Sequence, residues 1–200
     1  MTLNDKFHEF VKESNPNTDK DWKDVFQKMA KYVFQNCHLE ANGKKYYLTE
    51  IEFYYYSENN KHPDPWCYRK PNKNNDFLPS DSLWFHYSGM DITFDNKENN
   101  EYGGILIRGI QPAEEGNPTN GPLRSLYKLL NTKPQSDTKP VCLRLAYNEE
   151  RNLPKDITSE ERYGLNNASG EKKDYEESKY RFYLALEGVK IARNKTTPRI

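Results

Sequence analysis

The chain has 200 residues, of which 34% are hydrophobic and 14% aromatic. This length suits one domain with a substantial core, and the aromatic content argues against wholesale disorder. The 30 basic and 30 acidic residues balance. No overall field therefore draws the chain to nucleic acid or to an anionic membrane, and any anionic partner must be held by a local patch.

Cysteine usage and apolar runs predict the compartment. Cys37, Cys67 and Cys142 are an odd number without a C-x-x-C pair, which favours reduced thiols over a disulfide framework or a zinc ribbon. A weaker hypothesis, a metal site of His62, Asp64 and Cys67, lacks a recognised ligand spacing. The N-terminal stretch has no apolar run typical of a secretion signal, and no segment is long and apolar enough to span a membrane. We expect a cytoplasmic protein without metal, cofactor or membrane contact.

Two amphipathic helices are predicted before residue 44. A short one covers Leu3 to Val11. The second begins at Asp19, where Thr18 and Asp21 have the spacing of a capping box, and it ends near Asn36. Its apolar residues recur at three- and four-residue steps: Trp22, Val25, Phe26, Met29, Val33 and Phe34. This stripe predicts core packing rather than a ligand site.

The stretch from Lys44 to His62 predicts the central strand. Alternation places one set of residues on one face: Tyr47, Thr49, Ile51, Phe53 and Tyr55. The other face receives Tyr46, Leu48, Glu50, Glu52, Tyr54 and Tyr56. Two carboxylates among aromatic rings are costly to bury without a partner. Either this face is an acidic edge that meets water, or it carries chemistry.

A long polar loop and two strands are predicted next. The loop, residues 57–82, is of the kind that often forms a binding or active site. A short strand at 83–87 follows. A mostly buried strand at 104–110 contains Arg108, which cannot lose its charge and so needs an acidic partner or an anionic ligand. The alternative is an exposed edge position with the arginine stem on apolar surface.

The last third of the chain gives weaker patterns. Pro122 predicts the first position of a helix, with four residues on its inner face: Leu123, Leu126, Tyr127 and Leu130. A strand is predicted at 141–147, no apolar periodicity at 148–179, and a strand at 180–191 with a turn or bulge at Gly188 before a second short strand. The basic tail, 194–200, could contact phosphates, although terminal charges are usually solvated.

Helices followed by strands without a regular βαβ rhythm predict an α+β fold with a curved, mainly antiparallel sheet flanked by helices. We expect residues 1–200 to form one domain. Its parts are a helical N-terminal part at 1–43, a sheet-rich core at 44–193 and the basic tail.

An ordered set of segments resembles the alkyladenine (methylpurine) DNA glycosylases. They are E-x-E-F-Y (Glu50 to Tyr54), the later histidine His62, L-W-F-H-Y-S-G-M (Leu83 to Met90), I-L-I-R-G-I-Q-P (Ile105 to Pro112), T-N-G-P-L-x-x-L (Thr119 to Leu126) and R-F-Y-L (Arg181 to Leu184). The match covers roughly residues 46–184, and its order carries the resemblance. It implies that family's fold and a monomeric enzyme that excises alkylated or deaminated purines from double-stranded DNA without a cofactor.

The resemblance also implies roles for individual residues. Glu52 matches the catalytic carboxylate, which activates a water to attack the sugar carbon, and Arg108 matches the arginine beside it. Tyr54 and His62 match the residues that enclose the flipped base. His86 falls where the family has another stacking tyrosine. A flipped base needs such π faces and a carboxylate near the anomeric carbon.

The chain departs from the family pattern in three places. Ser88 stands where the family has the tyrosine that wedges into the duplex, and Tyr87 comes one residue earlier. Asp91 and Asp95 lie nearest to the place of the asparagine that rejects normal bases. The family's T-P-R-N-x-x-M-F stretch is absent.

Two classes of function follow. The first is a DNA glycosylase with Glu52 as general base. The second is a non-catalytic protein that binds a nucleobase, a nucleic acid or another small ligand between Tyr54, His62 and His86. A basic surface beside the pocket would favour the first class. An acidic rim would favour the second: Asp91, Asp95 and Glu98.

Overall fold

Helices and strands follow one another without a regular alternation. The structure is a computed structural model, and it describes residues 1–67, 76–133, 142–147, 151–165, 175–187, 189 and 191. The helices are α1 (Leu3–Ser14), α2 (Asp19–Asn36) and α3 (Pro122–Leu130). The strands are β1 (Cys37–Ala41), β2 (Lys44–Ser57), β3 (His62–Pro63), β4 (Leu83–His86), β5 (Gly89–Thr93), β6 (Tyr102–Pro112), β7 (Thr119–Asn120), β8 (Leu143–Tyr147), β9 (Ile157–Glu160) and β10 (Arg181–Leu184). All described strand pairs are antiparallel. The predicted α+β class, with one domain and a curled antiparallel sheet, is confirmed.

Local sequence sets the starts of the first two helices. The capping box predicted at Thr18 and Asp21 is present, and α2 ends at Asn36 as predicted. A second capping box at Thr2 and Asp5 begins α1. The predicted apolar stripe of α2 is buried along its whole length. Within the described part of the chain, neither these helices nor α3 is long and apolar enough to cross a membrane.

Strand β2 is the central strand of the sheet and pairs along both of its edges. One of its edges pairs with β6 from Tyr46 to Tyr56. Its other edge pairs in turn with β1, β10 and β3. The sheet then continues from β6 to β5 and β4, and from β1 to β8, while β9 extends it beyond β10. The central strand predicted from the sequence therefore organises the whole fold.

The predicted alternation along β2 is wrong at Leu48. The pairing with β6 steps from Leu48 to Glu50 and from Gly109 to Ile107, passing over Thr49 on one strand and Arg108 on the other. Each extra residue makes a bulge, which changes the side to which the next side chains point. Leu48 therefore packs in the hydrophobic core and does not share a face with Glu52.

An aromatic cluster fills the space between the helices and the apolar face of β2. The ring centroids of Phe7 and Tyr55 lie 4.8 Å apart, and those of Phe26 and Phe53 lie 4.9 Å apart. Phe94 joins them from beyond β5, and its ring lies flat on Gly103, where an added Cβ would come within 2.3 Å of the ring. This cluster holds α1 and α2 on one side of the sheet.

Several described strands form where the sequence predicted none, and β1 and β9 are two of them. β1 lies in the part predicted as helical and pairs with both β2 and β8. β9 lies in the stretch without apolar periodicity, and its pairing with β10 puts Glu160 opposite Arg181. Short strands of four or five residues give little periodic signal. Gly188, with its predicted turn, Lys190 and the basic tail lie outside the described residues. Val189 and Ile191 are described but do not form the strand predicted there.

The inner face predicted for α3 is confirmed only at Leu126, which packs against the core. Ser125 and Leu129 are the buried residues of this helix, while Leu123 and Tyr127 are 56% and 71% exposed. The Ser125 hydroxyl donates to the carbonyl of Arg108 at 3.2 Å, which turns the helix so that most of its apolar stripe faces outward. Periodicity predicted a stripe but did not determine what would cover it.

Candidate active site

One row of side chains crosses the polar face of the sheet. Directly opposed residues in an antiparallel pair point to the same face. From the β4–β5 hairpin outward, the row consists of Trp84, Asp91, Leu106, Glu52, Arg181 and Glu160. Adjacent strands lie about 4.8 Å apart, so Asp91 lies two strands, or roughly 10 Å, from Glu52. The register thus aligns the hairpin with the predicted catalytic glutamate.

Glu52 is 0% exposed, and both of its carboxylate oxygens accept hydrogen bonds from protein groups. Its Oε1 accepts from the backbone N–H of Tyr163 at 2.7 Å. Its Oε2 accepts from the Tyr54 hydroxyl at 2.9 Å and from Arg108 Nη1 at 3.4 Å. Burial and the charge of Glu52 raise the pKa of Tyr54, which keeps this phenol protonated as a donor. The surroundings of Glu52 therefore suit an ionised carboxylate.

Glu50 and two arginines complete a charge-balanced network. Glu50 Oε1 accepts from Arg108 Nε at 2.9 Å and from Arg181 Nε at 2.8 Å. Burial works against the charge of Arg108, but Glu52 and Glu50 outweigh it and the pKa of Arg108 is raised. The prediction that Arg108 needs an acidic partner is confirmed. Arg181 received no role from the sequence, although an arginine in a buried apolar strand was the same signal that singled out Arg108.

The segment around Tyr163 covers this network. Its ring, 41% exposed, lies over the guanidinium groups of Arg108 at 5.2 Å and Arg181 at 5.9 Å. The neighbouring Arg162 is fully buried in an ion pair with Asp64. Arg162 also donates to the carbonyls of Phe53 at 3.2 Å and Tyr175 at 2.7 Å. Tyr163 thus covers the two arginines with its ring and holds Glu52 through its backbone N–H. The sequence did not predict this cover because its stretch shows no periodicity.

His62 is not brought together with Glu52. β3 folds back so that His62 pairs with Ser57, which shares a face with Tyr55, so the imidazole enters the aromatic core. Its ring lies 4.7 Å from Trp22, and its Nδ1 donates to the carbonyl of Tyr55 at 2.8 Å. Burial lowers the pKa of His62. The contacts of this histidine therefore differ from those predicted for the base pocket.

The suggested metal site does not form. Across residues 1–67 and the other described ranges, no group of His, Cys, Asp and Glu is placed to hold a metal ion. Asp64 is held by Arg162, and the Cys67 thiol lies 3.6 Å from the carbonyl of Tyr102.

His86 and Asp91 form a pair at the base of the hairpin. The His86 ring stacks on Trp84 with centroids 4.7 Å apart. Its Nδ1 accepts from the Ser88 N–H at 3.3 Å, and its Nε2 lies 3.1 Å from Asp91 Oδ1. Asp91 rests on Gly104, where an added Cβ would lie 2.8 Å from its Oδ2. Glycine at this position therefore leaves room for the carboxylate on the sheet.

The acidic rim considered from the sequence is not present. Asp91 and Asp95 are both buried. Asp95 accepts from the backbone N–H groups of Leu78 and Gly103, each at 2.9 Å, so it ties a loop to the sheet. Two of the three carboxylates thus serve structural hydrogen bonds.

An aromatic side chain projects from the tip of the hairpin. Tyr87 and Ser88 are the turn residues between β4 and β5. Tyr87 is 80% exposed, and Phe85 on the adjoining strand is half exposed. The turn therefore exposes Tyr87 to solvent, although Ser88 occupies the place that the family pattern gives to tyrosine.

Comparison with known proteins shows a similarity to a viral protein. No protein-family model matches the chain. The chain is 34% identical over 139 residues to "Uncharacterized protein L759" of Acanthamoeba polyphaga mimivirus. The match covers 56% of the chain and 62% of the viral protein, so the chain spans less than two thirds of this relative's length.

Proposed function

We propose that the protein is a DNA glycosylase with the methylpurine-DNA glycosylase fold, which hydrolyses the N-glycosidic bond of damaged purines. One observation carries the proposal: the Glu52–Arg108 pair shares a sheet face with a hairpin that ends in an exposed tyrosine. A base-excising enzyme needs both a carboxylate for the chemistry and a wedge that occupies the space of the extruded base. We further propose that it acts as a cytoplasmic monomer on double-stranded DNA.

In the proposed reaction, Glu52 acts as general base. It takes a proton from a water whose oxygen attacks the anomeric carbon, while the bond from that carbon to the purine nitrogen breaks and the base leaves with the bonding electrons. Arg108 and the Tyr54 hydroxyl hold the carboxylate in place. General-base catalysis of this kind contributes about 10²- to 10⁴-fold. Tyr163 must first move away, because it covers the network.

In the proposed complex, Tyr87 enters the base stack. The stacked rings of Trp84 and His86 lie behind it on the side of Asp91, where they offer π faces to the extruded purine. Tyr54 donates to Glu52 and lies close enough to the hairpin to be affected by the charge of Asp91. We leave His62 out of the proposed base pocket because it packs in the aromatic core with Trp22 and Tyr55.

The complete burial of Glu52 favours a second function, which is ligand binding without catalysis. Both of its oxygens already accept protein hydrogen bonds, and the side chain is fully buried. A protein that uses the Glu50, Glu52, Arg108 and Arg181 network only to hold its sheet together would show the same geometry. On this alternative the scaffold binds a nucleobase, a nucleic acid or another ligand without catalysis.

The test uses duplex oligonucleotides that contain hypoxanthine, ethenoadenine or 3-methyladenine. Abasic sites formed by the wild type are counted after alkali cleavage and compared with those formed by Glu52→Gln and by Glu13→Gln, an exposed control. We expect Glu52→Gln to lose at least about 100-fold in single-turnover rate and Glu13→Gln to match the wild type. Thermal melting of each variant checks folding.

Equal excision by wild type and Glu52→Gln would contradict the assigned role of Glu52. Binding of the duplexes without excision of any of the three bases would favour the second function.

A further inference from the structure

A groove of about 810 Å³ runs beside α3, away from the Glu52 network. Its walls come from the exposed side of α3, the start of β2 and the residues just after the helix. The residues that matter here are Lys44, Arg124, Tyr127, Lys128 and Lys133. A volume of this size lies within the range of ligand sites in proteins.

The charge of the groove differs from that of the whole chain. Four exposed cationic residues line it, and its described lining contains no carboxylate. None of the four forms an ion pair with a residue in the described ranges: Lys44, Arg124, Lys128 and Lys133. In a chain with a formal net charge of 0, this is a local surface suited to a polyanion.

The same groove offers an aromatic face. Tyr127 is 71% exposed on the surface of α3 and lies one helical turn from Leu123 and Arg124. An exposed ring beside cationic side chains is the combination by which proteins hold single nucleic-acid strands, with bases stacked on the ring and phosphates near the cations. Inorganic phosphate alone would make no use of the ring.

Helix α3 is fixed to both parts of the candidate active site. The Gly121 N–H donates to the carbonyl of Arg108 at 2.7 Å, and the Ser125 hydroxyl contacts the same oxygen. Pro122 packs on Gly89 next to the hairpin turn, where an added Cβ would lie 2.9 Å from Pro122 Cβ. A nine-residue helix is about 13 Å long. The groove therefore has a fixed position within a few nucleotides of the hairpin tip.

We propose that the α3 groove binds a nucleic-acid strand, with its phosphates at Lys44, Arg124, Lys128 and Lys133 and one base on Tyr127. The inference rests on the proposed function for its choice of DNA as the nucleic acid. The groove supplies the local basic patch that a chain without net charge needs in order to hold DNA.

The test is a fluorescence-polarisation titration of a labelled single-stranded 12-mer (about 12 nucleotides spans one such site) at several salt concentrations. Arg124→Gln/Lys128→Gln removes two groove charges, and the control Lys20→Gln/Lys31→Gln removes two exposed charges from α2. We expect the groove variant to bind about tenfold or more weakly and to reduce the slope of log affinity against log salt by about 1 to 2, since each phosphate contact contributes about 0.7. The control should bind like the wild type.

Tyr127→Ala separates stacking from charge. We expect about tenfold weaker binding with an unchanged salt slope, because no phosphate contact is lost. All substituted side chains are exposed, so thermal melting should show wild-type folding.

The proposal is overturned if the groove and control variants bind alike, if the wild type binds no oligonucleotide, or if adenosine monophosphate competes as well as the 12-mer. Oligonucleotide binding by Glu52→Gln separates the test of the groove from the test of base excision. If Glu52→Gln binds normally and the groove variants do not, the groove assignment stands even when the wild type excises no base.

Discussion

At Ile51 and Glu52 the two faces of β2 are equally buried, but different interactions stabilise them. Ile51, Phe53 and Tyr55 enter the aromatic and aliphatic core under α1 and α2, while Glu52 lies on the opposite face against arginine and tyrosine. Ile51 and Glu52 are adjacent, and both are 0% exposed. Apolar contacts are non-directional and tolerate small changes of volume. A buried charge network tolerates no loss of a partner, because the opposite charge is then left alone.

The largest effect is expected from Glu50→Gln on the polar face. Arg108 and Arg181 both donate to Glu50 Oε1. The substitution leaves Arg108 with Glu52 and leaves Arg181 with the more distant Glu160, at 3.9 Å. We expect the free energy of unfolding to fall by about 3–5 kcal/mol, measured by urea denaturation.

The control is Glu13→Gln, which removes a half-exposed glutamate whose partner is Lys28. It should cost less than about 1 kcal/mol. Equal losses in the two variants would show that the polar face contributes no more than a surface ion pair.

A smaller effect is expected from Ile51→Val on the apolar face, one residue away. Removal of one methylene from a packed core should lower the free energy of unfolding by about 0.5–1.5 kcal/mol. Excision and DNA binding should stay unchanged, since Ile51 points away from Glu52. A loss of excision without a larger loss of stability would show that the two faces are coupled.

The smallest effect on stability near neutral pH is expected from the protonation of His62, a polar residue buried on the apolar side of the sheet. Because burial lowers the pKa of His62 in the folded protein, the unfolded chain takes up a proton more readily. The unfolded state is therefore favoured as the pH falls below about 6.5, the ordinary value for histidine. His62→Gln should flatten the dependence of stability on pH between pH 7 and pH 5, as measured by urea denaturation at each pH. Parallel curves for wild type and His62→Gln would rule out this contribution.

The helices and the two faces of β2 could be predicted because their signals are local. A capping box lies within four residues, and the alternation from Glu50 to Tyr55 needs no partner strand. An acidic partner or an anionic ligand was also expected for Arg108, because a buried arginine has few ways to keep its charge, and the resemblance implied Glu52 as its neighbour. Arg181 and the cover formed by Tyr163 were not expected.

What the sequence determined by itself is the amphipathic pattern: a helical layer and a long strand with a core face and a carboxylate face. Only the tertiary structure decided the partners. β10 reaches β2 from about 130 residues away in the chain, the bulge at Thr49 turns Leu48 into the core, and the β3 register takes His62 away from Glu52. Pairing between distant strands is set by the packing of the whole sheet, and local periodicity does not predict it.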